Sequence, residues 1–93
     1  MTIPGRIFGD YLATMCGLIR RYGSAEPTVI TALLRLLGTC AGVAGPDPHR
    51  LAALDEQARI VMDDAERDIR QPADLVAVRA EAAAVHAVIA EQR

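Results

Sequence analysis

Pro27, Pro48 and Pro72 stand at intervals of about twenty residues, and between them apolar residues recur every three or four positions. Proline fixes its own φ and lacks an N–H, so in a helical protein it belongs in the first turn of a helix. The three-four recurrence is the period of an amphipathic helix. A chain punctuated this way folds into consecutive helices of bundle length, and no run alternates as a strand would. The expectation is an all-α, four-helix up-down-up-down bundle in one domain, with helices over about 7–22, 27–44, 48–69 and 72–91.

The boundaries have local reasons. Gly23 follows the first segment as a left-handed stop. Ser24 or Glu26 precedes the second, and Gly45–Pro46 ends it. Asp47–Pro48 offers a capping carboxylate and then proline at the first helical position. Gln71–Pro72 opens the fourth segment.

At 100° per residue, Ile7, Phe8, Tyr11, Leu12, Met15, Cys16, Leu18, Ile19 and Tyr22 fill one half of the first helix. Val29, Ile30, Leu33, Leu34, Leu36, Leu37, Cys40 and Val43 cover a similar arc of the second. The stripes Leu51, Leu54, Ala58, Val61, Ala65 and Leu75, Val78, Ala82, Val85, Ile89 are narrower and predict an antiparallel hairpin of the last two helices. The first two helices therefore carry more apolar surface than four short helices readily cover, and surplus of this kind signals association. A homo-oligomer, in first place a dimer, is expected, with Gly9, Ala13, Gly17, Ile30, Leu34 and Leu37 at the interface. The first three form a small-residue row through which helices can approach closely.

Charge narrows the partners. The net charge of −2 and pI of about 5.6 argue against nucleic acid. All basic residues are Arg, with no Lys, Asn or Trp, a bias that suits a GC-rich bacterial genome. Asp10 interrupts any signal-peptide core. The stretch 27–46 is about long enough to span a bilayer, but Arg35 in its middle opposes insertion. The expected compartment is the cytoplasm, without direct membrane insertion.

Phe8–Gly9, Arg21–Tyr22–Gly23, Glu26–Pro27 and the Leu33–Leu37 run together resemble a bacterial family of uncharacterised predicted membrane proteins, a domain of unknown function. The likeness is to the soluble C-terminal region of that family and covers two-thirds or more of the chain. It implies a cytosolic accessory or regulatory domain of a membrane protein, and supplies no catalytic residue. The membrane region itself is absent from these 93 residues.

Chemistry-bearing side chains are few. Cys16, Cys40, His49 and His86 show no metal-ligand spacing. In an antiparallel hairpin Cys16 and Cys40 are separated by roughly 12 Å along the bundle, too far for a disulfide. A turn near Arg70 places His86 level with Asp55. Cys40 and His86 fall toward one end and define an alternative reading, a metal- or ligand-binding protein. Arg20, Arg21, Arg67 and Arg70 gather toward the other end, where they complement helix dipoles or contact an anion. Asp63, Asp64, Glu66 and Asp68 fan around a helix and read as a solvated face rather than a cation loop. With no phosphate loop, nucleophile motif or paired carboxylates, the sequence points to a non-catalytic interaction or oligomerisation module needing no cofactor.

Overall fold

A computed structural model describes residues 5–23 and 25–93, with side chains from Phe8 onward. The expectations placed on Ser24 and on the Ile7 side chain fall outside the described residues. Four helices and no strand are present among them: α1 (Gly5–Gly23), α2 (Pro27–Ala44), α3 (Pro48–Asp68) and α4 (Pro72–Gln92).

The punctuation works as local chemistry requires. Asp47 caps α3: its carboxylate accepts from the N–H of His49 at 3.0 Å and of Arg50 at 3.2 Å. Those amides have no partner inside the helix, so the cap replaces lost water contacts. Gly45 leaves α2 with φ of 65°, the left-handed region that favours glycine. Gly23 corrects the sequence reading. It lies inside α1 with no positive φ. A Cβ there would stand 2.6 Å from Cγ1 of Val29. Glycine is required by the tight approach of the α1–α2 turn, not by a left-handed stop.

Ion pairs and close approaches fix the helix directions. Gly9 faces Ala53 and Arg20 pairs with Asp64, so α1 and α3 run the same way. Gly38 faces Val85 and Arg35 pairs with Glu81, so α2 and α4 do too. His86 with Asp55 and Arg79 with Glu66 make α3 and α4 antiparallel. The up-down-up-down order holds.

The cross-section is a rhombus rather than a square. α2 packs most extensively on α4, and α1 on α3; α2 and α3 meet across the short diagonal. Among the described residues α1 and α4 do not touch. The molecule measures 41 × 26 × 16 Å. Its thin dimension is about that of two packed helices, whose axes lie roughly 8–10 Å apart. The core is built from Ile30, Leu34, Leu37, Leu51, Leu54, Val61, Val78 and Val85, all essentially inaccessible. Burying each such side chain contributes about 1.5–3 kcal/mol relative to exposure.

α2 is long and apolar enough to cross a membrane by length and composition alone. In this fold it is a central helix, with Ile30, Leu33, Leu34, Leu37 and Ala41 buried.

Candidate interaction face on the first two helices

The two corner helices of the rhombus differ in what they show outward. On α4 the outward positions are alanine and charge, with Val76 the one large exposed apolar side chain. On α1 they are Tyr22 (81% accessible), Tyr11 (65%), Leu18 (48%) and Met15 (42%). These four follow one another at intervals of four, three and four residues and so form a single stripe.

The stripe is exposed because of how α1 leans. Its small residues let it approach α3: Gly9 sits against Ala53, and Arg20 reaches the Asp64 carboxylate. Asp64 and Gln57 are the buried polar residues among those described. Both lie on the stripe of α3 that carries Ala53, at helical intervals of four and seven residues. The α1–α3 seam is therefore small and polar, and α1 turns much of its apolar half away from the core.

Across the seam with α2, contact is sparser and an apolar groove of about 250 Å³ opens. Leu12, Cys16, Ile19, Leu33, Leu37 and Cys40 are among the residues that line it, with Tyr11, Met15 and Leu36 at its more exposed margins. Val29, Leu36 and Val43 recur every seven residues along the outer side of α2, and all three are exposed. At the Phe8 end, the Arg50 guanidinium lies 5.4 Å from the ring centroid, a cation–π contact. Burial pushes the Cys16 thiol up from its ordinary pKa; nearby Arg20 opposes this and Cys40 adds to it. Cys16 is thus held as the thiol at neutral pH, and both cysteines are free.

The expected interface residues divide. Ile30, Leu34 and Leu37 are core residues of the monomer, which corrects their assignment to a contact surface. They are enclosed because α2 is central in the rhombus, and a central helix spends its most apolar side inward. Gly9 serves the α1–α3 approach. Ala13 is exposed, and Gly17 lines a polar cleft. Sequence reasoning missed Tyr11, Met15, Leu18, Tyr22 and Leu36 as surface. The small row Gly9–Ala13–Gly17 on the opposite side of α1 was the available signal that the helix would dock by that side.

Arg20, Arg21 and Arg67 do converge, with Gly17 and Asp64, around an open cleft of about 320 Å³. Arg70 is exposed and does not line it. Asp64 lies among these guanidinium groups, pairing with Arg20 and, at 3.2 Å, with Arg67. Arg67 also donates to Asp68 at 3.0 and 3.2 Å. The hydrogen bond and charge of Asp68, then the charge of Asp64, hold the Arg67 proton more firmly than usual. An incoming anion would meet a carboxylate already in place, so the cleft is an internal salt-bridge cluster.

Cys40 and His86 are not brought together. Cys40 lines the groove beside Phe8 on the α1 side. His86 is on the α3–α4 seam, its Nδ1 2.9 Å from Asp55, at the level the sequence predicts. Exposed His49 is used at the α3 start through its backbone N–H. Among the described residues no group of three His, Cys, Asp or Glu is arranged to hold a metal ion.

The chain resembles uncharacterised mycobacterial proteins. It is 39% identical over 87 residues to uncharacterised proteins of Mycobacterium tuberculosis (strains CDC 1551 and H37Rv) and of Mycobacterium bovis. The match takes in 94% of this chain and 16% of each relative, so the chain spans about a sixth of the length of the curated relatives it matches. No family model matches the sequence. No solved structure matches it either. The likeness supports a bacterial, uncharacterised family, which is the coarser part of the resemblance drawn from the sequence.

Proposed function

We propose that this chain is a non-catalytic helical interaction module that self-associates through the α1–α2 side, acting in the cytoplasm. The observation that carries the reading is the asymmetry between corner helices: α4 shows mostly alanine and charge to solvent, with Val76 its single large exposed apolar side chain, whereas α1 shows Tyr11, Met15, Leu18 and Tyr22 in one stripe. Ordinary packing leaves scattered apolar residues exposed, but a continuous stripe beside an apolar groove marks a contact surface. The rings and thioether suit such a surface, since Tyr and Met are enriched at protein interfaces. Light scattering over a wide concentration range tests it. Mass above the 10.0 kDa chain, rising with concentration, is expected. A constant monomer mass to the solubility limit would refute self-association.

A second reading rests on the relatives. A similar segment there belongs to a polypeptide about six times as long, which fits an accessory domain that docks on the rest of its own protein. On the resemblance drawn from the sequence, that protein would be a bacterial membrane protein. Co-expression of this chain with the remainder of such a relative tests the idea, and failure of the two pieces to co-purify would count against it.

A further inference from the structure

Asp10 is the one acidic residue of α1 and lies near its start, while Arg21 lies near its end. Both are exposed, and neither has an ion-pair partner among the described residues. By helical phase both fall along the same edge of the stripe formed by Tyr11, Met15, Leu18 and Tyr22. The other edge of the stripe is already committed, since Leu12 and Ile19 there are half-buried in the groove against α2. From this placement we infer that the partner is a second copy of the chain, docked with its α1 antiparallel to α1 of the first about a two-fold axis midway between Met15 and Leu18.

This inference rests on the self-association reading and specifies its geometry. The four-three-four spacing is that of a coiled-coil seam, and the stripe repeats nearly symmetrically about its middle. Antiparallel pairing sets Tyr11 beside Tyr22 of the second copy and Met15 beside Leu18 of the second copy. In antiparallel pairs the flanking positions on like edges face each other, so the Asp10 end of each helix meets the Arg21 end of the other. Two-fold symmetry makes that contact twice. Parallel pairing would instead turn this edge toward the other edge of the second copy, which carries Leu12 and Ile19, and neither charge would meet an opposite one. The charge pattern therefore selects the antiparallel dimer, while the apolar stripe supplies most of its affinity.

A charge-swap experiment on the full chain reads this directly. Asp10→Arg and Arg21→Asp are made separately, with circular dichroism confirming unchanged helix content, as expected for two exposed positions. Each variant alone should dimerise about tenfold more weakly than the parent, because two attractions become two repulsions. Mixed in equal amounts, the two variants should recover parental affinity as a heterodimer, detected by sedimentation with one partner labelled. Parental dimerisation that neither variant weakens, or weakening that mixing does not reverse, would overturn the antiparallel α1 pairing and leave self-association through another surface standing. A parent that stays monomeric at every concentration would overturn both.

Discussion

Glycine is used for different reasons at positions that look alike in the sequence. Gly42 is an exposed α2 residue with nothing within 4 Å of an added Cβ. Its cost is backbone entropy alone, so Gly42→Ala should raise stability by about 0.5–1 kcal/mol. Gly23 is buried, and an added Cβ would press on the stiff, β-branched Val29 at 2.6 and 3.1 Å. Gly23→Ala should lower stability by about 1–3 kcal/mol, the range of overpacking. Urea melts of the two variants check both signs. A stabilised Gly23→Ala would show that the α1–α2 turn has slack that the packing does not reveal.

Among the elements, α1 is held differently from the rest. α2, α3 and α4 share a core of interlocked Leu, Ile and Val, whereas α1 adds Cys16 to it and half-buries Phe8, Leu12 and Ile19. Its tie to α3 depends on the Arg20–Asp64 pair, with Asp64 also holding Arg67. Removing one partner of a buried charged pair leaves the other unsatisfied. Asp64→Asn should therefore cost about 1–3 kcal/mol, a range set by the partial exposure of Arg20. Hydrogen exchange should show the loss mainly in α1 amides, with α2 and α4 nearly unchanged. Uniform deprotection of all four helices would mean that α1 unfolds only with the whole bundle. The same weak seam explains why the apolar half of α1 is legible in the sequence while its exposure is not. A wheel shows which residues are apolar, but not which of two sides a neighbour will cover.

For the molecule as a whole, the question is where apolar surface is spent. Leu34 is inaccessible at the centre of the rhombus, and Leu18 faces solvent on its outer corner. Leu34→Ala should lower stability by about 2–5 kcal/mol, the transfer loss plus the cavity left behind. Leu18→Arg should leave the melting curve of a dilute sample nearly unchanged while reducing association. Thermal melts and light scattering on the two variants separate the effects. The opposite pattern, with Leu18→Arg melting early and Leu34→Ala melting normally, would show that α1 is rotated relative to the rhombus described here.

Helix number, extent and direction were settled along the chain. Proline in first turns, the Asp47 cap, the Gly45 exit and three-four spacing act within a few residues of one another, so local chemistry decides them. The level of His86 with Asp55 followed as well, since a short loop and a fixed rise per residue leave a hairpin little choice of register. Which helices become neighbours was decided only in three dimensions. α1 chose α3 over α2 because small residues and a buried carboxylate made that seam close, and α2 chose α4 because its most apolar side had to be enclosed. That choice moved Ile30, Leu34 and Leu37 from expected interface to core, placed Asp64 among Arg20 and Arg67, and separated Cys40 from His86. It also put Tyr11, Met15, Leu18 and Tyr22 on the surface. Apolar residues carry no label for the partner that will cover them, because the hydrophobic effect is non-directional and only packing assigns it.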